Sequence, residues 1–381
     1  MESDNKLFLL DAYALIYRAY YAFIKNPRIN SKGFNTSAIL GFVNTLEEVL
    51  KKENPTHIGV AFDPAGPTFR HEAFEQYKAQ REETPEAIRL SVPIIKDIIR
   101  AYRIPILEVA GYEADDVIGT LATEAGRQGI TTYMMTPDKD YGQLVSDKVF
   151  MYRPKHTGGF EVMGVEEVKA KFDIQSPAQV IDMLGLMGDS SDNIPGCPGV
   201  GEKTAQKLIS EFGSIENLLE HTDQLKGALK TKVETNREMI TFSKFLATIK
   251  IDVPIQLEMD SLVREEADED SLRSIFEELE FRTLIDRVLK KEVSGNGITS
   301  TPKSKVATGK SAPSPLPLFP EEGGGIQGDL FANFTPNEPN EAKKSNLETL
   351  ESLCCDYQLI DTEEKRKKII QKLLTSKILS L

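Results

Sequence analysis

Cysteine is almost missing: Cys197, Cys354 and Cys355 are the only three in 381 residues. An odd, sparse set builds no disulfide framework, and two adjacent thiols lack the spacing of a zinc knuckle. The four histidines (His57, His71, His156 and His221) are scattered, and none pairs with another at zinc-ligand spacing. No Ser-His or Cys-His partnership is evident, which leaves covalent nucleophilic catalysis without machinery. No apolar run approaches the ~20 residues of a membrane span. The N-terminus, MESDNKLFLLD, lacks the basic flank and apolar core of a signal peptide, so a cytoplasmic protein without membrane contact is expected. Positive charge is also in deficit, with a formal net charge of −13. That balance first argues against nucleic acid as a partner. The argument weakens if the acids are gathered around metal, because bound cations reverse the local sign.

What is present is alternation. The runs KLFLLD, THIGVAFD, RIPILEV, TTYMMTPD and KVFMYRP read as strands, and between them lie amphipathic stretches such as TSAILGFVNTLEEVLKKE, PEAIRLSVPIIKDIIRAY and EADDVIGTLATEAGRQG. Short apolar strands alternating with such helices predict an α/β fold around a mostly parallel sheet. From about 165 to 290 the pattern turns almost wholly helical. The expected organisation is an α/β core over 1–170, a helical subdomain over 171–291, a Gly/Ser/Pro/Asn-rich linker over 292–348, and the cut-short start of another domain over 349–381.

Acids punctuate the strand ends: Asp11 after LFLL, Asp63 after IGVAF, Glu113, Asp115 and Asp116 in GYEADD, and Asp138 and Asp140 in TPDKD. Asp189 and Asp192 follow in GDSSDN. The carboxyl ends of the strands form the binding crevice of open α/β sheets. Like charges ~4 Å apart cost roughly 4 kcal/mol at an effective dielectric near 20, so a cation must sit among them. Hard oxygen donors without His or Cys favour magnesium, with manganese as its substitute. One ion is expected on Asp11, Asp63, Glu113 and Asp115, with Asp116 nearby. A second is expected on Asp138 and Asp140 and on Asp189 and Asp192, the latter pair sharing one helical face at i, i+3. Two ions ~4 Å apart suit phosphodiester hydrolysis.

Downstream, IPGCPGVGEKTAQKL places Gly199 and Gly201 before an amphipathic helix, with Lys203 and Thr204 in its first turn. Glycines let backbone N–H groups approach a phosphate, and the helix N-terminus adds its dipole. This is a helix-hairpin-helix signature, a sequence-independent grip on a duplex backbone.

Taken together, LLDAYALIYRAYYAF, VAFDPAGPTFRHE, YKAQR, GYEADDVIGTLA, TPDKDYGQLV and MGDSSDNIPGCPGVGEKTA resemble the 5′-nuclease (flap endonuclease-like) domain of bacterial DNA polymerase I over roughly residues 5–290. The family's acids map onto the nine named above, and Cys197 is the one visible departure. The resemblance implies that Arg18, Lys78 and Arg81 serve catalysis and that Tyr77 faces the threaded 5′ strand. Lys78 and Arg81, at i, i+3, are expected on one side of a helical arch over the crevice. It further implies a monomer acting on branched DNA with a 5′ flap and on RNA–DNA primer junctions, a monovalent cation at the hairpin, and nucleoid association. YQLID…ILSL resembles the opening of the family's 3′→5′ exonuclease-like domain, so the chain is expected to be part of a longer polymerase. In the linker, Gln327, Leu330 and Phe331 belong to a pentapeptide resembling those that dock on the sliding clamp. Two rival readings remain at this point: a catalytically silent DNA-binding or clamp-adaptor module, and a toxin-type RNase.

Overall fold

The computed structural model describes residues 5–155 and 158–289. The linker with Gln327, Leu330 and Phe331, and the domain start expected at 349–381, lie outside the described residues. In chain order the elements are β1 (Lys6–Asp11), α1 (Ala12–Ala22), α2 (Ser37–Lys52), β2 (His57–Ala61), α3 (Phe69–Ala73), α4 (Glu86–Ala101), β3 (Ile106–Leu107), α5 (Ala114–Arg127) and β4 (Thr131–Met135). They continue with β5 (Val149–Pro154), β6 (Phe160–Met163), α6 (Val165–Phe172), α7 (Gln179–Met187), α8 (Glu202–Phe212), α9 (Ile215–Glu220), α10 (Gly227–Thr235), α11 (Arg237–Ala247), α12 (Met259–Leu262) and α13 (Glu269–Glu278).

β1 is buried on both faces: Leu7 and Leu9 join one core, Phe8 and Leu10 the other. Side chains alternate across a strand, so a strand apolar on both faces belongs inside a sheet covered on both sides. The sheet order is β3-β2-β1-β4-β5-β6, parallel throughout except for β6, which runs antiparallel to β5. The chain leaves β1 toward β2 on one side and returns to β4 on the other. The carboxyl end of β1 is therefore the topological switch point, and Asp11 is its last residue.

α2 buries Ile39, Phe42, Val43, Leu46, Val49 and Leu50, the stripe of a helix facing a sheet, and ends on Lys51 and Lys52, which suit its negative pole. β6 was not expected from the sequence; it forms behind a turn in which Gly158 and Gly159 both take positive φ.

The helical region differs from the expectation of one subdomain over 171–291. α7, α8 and α11 pack with α5 on one face of the sheet. After α12 the chain crosses back: His57 bridges Val263, and Leu272 and Phe276 of α13 enter the opposite core with Phe42, Ile95 and Ile98. The i, i+4 apolar pair on α13 needs a buried surface, and the sheet's other face supplies it.

Candidate metal centre at the carboxyl edge of the sheet

Each strand end delivers its acid by a local device. Asp11 closes β1 and caps α1, with Oδ1 accepting from the Ala14 N–H (3.1 Å). Asp63, two residues past β2, accepts from the Ala114 N–H (2.7 Å) at the head of α5. Asp138 precedes a 3-10 turn (Lys139–Leu144), and its Oδ1 accepts from the Asp140 N–H (3.0 Å). Asp189 and Asp192 sit in the turn after α7, which is closed by paired backbone hydrogen bonds between Asp189 and Ile194. They do not share a helical face: a turn with Asn193 in the left-handed region (φ 57°) replaces the expected helix, since Gly188 has already ended α7.

The nine acids divide into two sets. Four are neutralised from within. Arg70, only 1% exposed, donates from Nη1 to Glu113 (2.8 Å) and makes a two-pronged pair with Asp116 (2.8 Å each). Asp116 also accepts from the N–H groups of Glu113 (3.1 Å) and Lys250 (2.8 Å), so its oxygens are already occupied. Asp189 pairs with Lys139 (3.0 Å), and Asp192 with Arg81 (2.5 Å) and Lys78 (3.5 Å). Burial works against ionisation of Glu113 and Asp192, yet Lys78, with Arg70 or Arg81, holds both below the usual carboxylate range.

The other five have no such compensation. Burial, with Asp63 and Asp138 nearby, pushes Asp11 up to about 7. Asp115 is raised well above its ordinary value by burial and Asp116, and its nearest cation, Arg70, stands 3.9 Å off. Asp140 is raised as strongly by burial with Asp138 and Asp189; Asp63 and Asp138, which stay exposed at the crevice mouth, are also raised by the protein packed around their carboxyls. Oδ1 of Asp140 is buried with no hydrogen-bond partner. Crowded carboxylates with an orphaned oxygen are the state of a cation site, and a donor set of hard oxygens fits a divalent ion. Glu113, Asp115 and Asp116 each present an oxygen within 4.8 Å of the others. Because Asp116 is saturated by Arg70 and two N–H groups, it reads as the anchor of that trio.

The segment after α3 departs from the expected arch. Lys78 and Arg81 do not lie on a helix: residues 75–80 form turns and Lys78 takes φ 56°. Burying the Tyr77 ring and neutralising acids outweigh helical propensity here. The Tyr77 hydroxyl lies 3.0 Å from both Glu113 and Asp192, so this side chain braces the acids from inside rather than facing a strand. Lys78 Nζ reaches Glu113 at 2.7 Å. Arg18 donates to the Lys155 carbonyl (3.1 Å) at the end of β5. Between α7 and α8, Gly196 and Gly199 take positive φ and Gly201 caps α8, with Lys203 exposed and Thr204 half-buried. A Cβ on Gly196 would stand 2.3 Å from the Gly188 nitrogen, so this turn demands glycine.

Arg70, Lys139, Thr136 and Tyr141 complete the site without having been singled out in the sequence. The signal for the burial of Arg70 lies in Phe69 and Phe74, the aromatic residues on either side of it in the chain.

The chain belongs to the class of 5′-3′ exonucleases, as two family models together covering most of its length show. A family model described as the 5′-3′ exonuclease N-terminal resolvase-like domain matches residues 6–173, and the 5′-3′ exonuclease C-terminal SAM fold matches residues 175–270. The curated relatives are DNA polymerases I. That of Bacillus subtilis (strain 168) is 43% identical over 291 residues, and that of Bacillus caldotenax 42% over 287. These matches cover 76% and 74% of this chain but 33% and 32% of the relatives, so the chain spans about a third of their length. Among solved structures, the T5 5′-exonuclease with bound zinc ions is similar at 21% identity and TM-score 0.54, covering 73% of this chain and 99% of that one. The catalytic core of Rad2 in complex with DNA substrate follows at 18% identity and TM-score 0.52, covering 75% and 93%. At these identities the likeness is one of fold. No helix among the described residues is long and apolar enough to cross a membrane.

Proposed function

We propose that this chain is a magnesium-dependent, structure-selective 5′ nuclease that removes RNA primers and displaced 5′ flaps as the N-terminal part of a DNA polymerase I. The observation that carries the reading is the set of five uncompensated carboxylates, Asp11, Asp63, Asp115, Asp138 and Asp140, at the switch point of a parallel sheet. These would hold Mg2+ (or Mn2+), and the divalent zinc ions bound to the T5 5′-exonuclease agree with that class of ligand. Bound divalent ions there would neutralise the phosphodiester and activate the attacking water.

The chain's own residues do the rest. Lys78 and Arg81 lie over Glu113 and Asp192 at the rim, where a phosphate oxygen can replace a carboxylate as their partner. Tyr77 and Arg70 hold Glu113 in place while the cations exchange. The glycine turn before α8, with Lys203 and Thr204, reads as a helix-hairpin-helix grip on the duplex backbone some residues from the crevice. Incubation with a flap duplex, a linear single strand and structured RNA tests the proposal. Magnesium-dependent cleavage of the flap near its junction is the expected result; equal cutting of structured RNA would favour a ribonuclease, and binding without cleavage a silent adaptor.

A further inference from the structure

Asp11 holds the switch point, and both of its oxygens are already spoken for in an unequal way. Oδ1 accepts one hydrogen bond, from the Ala14 N–H at 3.1 Å. Oδ2 accepts two: from the Tyr141 hydroxyl at 3.1 Å and from the Thr136 hydroxyl at 3.2 Å. A carboxylate oxygen offers about two lone-pair positions, so Oδ2 is filled and Oδ1 keeps one open. Thr136 also accepts from the Asp138 N–H (3.1 Å). A continuous chain therefore runs from the Asp138 backbone through Thr136 to Asp11 and on to Tyr141. Tyr141 itself belongs to the 3-10 turn that follows Asp138 and contains Asp140. Both hydroxyl side chains are fully buried, and the Tyr141 ring is packed in the core with Val117, Leu121 and Val180, so neither donor is free to swing away.

We infer that Tyr141 is a positioning residue for the metal centre. Its hydroxyl, with that of Thr136, blocks Oδ2 of Asp11, leaves Oδ1 as the single oxygen open to a divalent cation, and fixes the end of β1 against the loop bearing Asp138 and Asp140. The inference rests on the metal reading of the five acids. Outer hydrogen bonds of this kind orient ligands and typically change metal affinity or activity by about 10–100-fold when removed.

The test is Tyr141→Phe, which keeps the ring in its core pocket and removes only the donor. Tyr152→Phe serves as the control, since Tyr152 is a buried tyrosine of the opposite core bonded to Glu53. Mn2+ uptake is measured by calorimetry on the unloaded proteins, with melting curves alongside. Tyr141→Phe is expected to weaken Mn2+ binding about tenfold or more, with Tyr152→Phe binding like the parent. Its kcat at saturating metal should fall less than its apparent metal affinity. Parent-like Mn2+ affinity in Tyr141→Phe, or equal weakening in both variants, would overturn the positioning role and leave the metal reading intact. A parent chain that takes up no Mn2+ would overturn the metal reading and this inference with it.

Discussion

A carboxylate in this crevice is defined by its partners more than by its position in the chain. Arg70 is the clearest case: one buried guanidinium satisfies Glu113 and Asp116 and donates to the carbonyls of Leu246 (3.0 Å) in the last turn of α11 and of Thr248 (2.8 Å) just past it. Arg70→Met removes the charge, strands Asp116 and leaves Glu113 to Lys78 and Tyr77 alone, and a buried pair that loses one member costs about 3–5 kcal/mol. A large fall in melting temperature is expected, partly relieved when Asp116→Asn is added; the double-mutant comparison measures it. Asp115 and Asp138, by contrast, lack such a partner. Asp115→Ala or Asp138→Asn should abolish flap cleavage while leaving flap affinity, followed by fluorescence anisotropy, close to that of the parent. Normal cutting by either variant with magnesium would remove that residue from the ion-binding set.

At the scale of elements, glycine and charge set how pieces meet. Gly196→Ala must push its Cβ into the Gly188 backbone, whereas a Cβ on Gly201 meets nothing within 4 Å and its φ is −97°. Gly196→Ala is therefore expected to lower both the melting temperature and duplex affinity. Gly201→Ala should melt like the parent, and a selective loss of duplex affinity in it would show that bare backbone faces phosphate there. At the opposite edge of the sheet, Lys6 of β1 reaches Glu53, just past α2, at 2.6 Å, and the Tyr152 hydroxyl donates to the same carboxylate (2.9 Å). Burial opposes the ionised form, but these two donors hold Glu53 below its ordinary value of 4.5. A depressed carboxyl stabilises the fold fully above its unfolded value, and that contribution disappears as pH falls through the lower folded value. The melting-temperature difference between the parent and Glu53→Gln should thus be full at neutral pH and shrink progressively as pH falls below 4.5 through the lower folded value.

For the molecule as a whole, the proposed metal site would link stability to ion binding, because a cation would relieve the repulsion among five crowded carboxylates. An ion at 100 times its dissociation constant stabilises the folded state by about 2.7 kcal/mol. Millimolar Mg2+ should raise the melting temperature where sodium at matched ionic strength does not, and scanning calorimetry reads the difference. Much of the architecture was visible in the order of residues. Short continuous apolar runs and helical stripes specified the parallel sheet, and strand-terminal acids marked the crevice, because both depend on local spacing and on strand direction alone. The antiparallel β6, the return of α13 to the far face, and the docking of Tyr77, Lys78 and Arg81 onto the acids were not visible, since each depends on what lies across space. The same holds for the division of the nine acids. Spacing brought them to one edge, but only the packing of Arg70, Lys78, Arg81 and Lys139 against four of them decided which five were left without a hydrogen-bonded cation. A chain can specify where its charges emerge through local geometry; which of them stay unpaired is settled by long-range contacts that desolvate them.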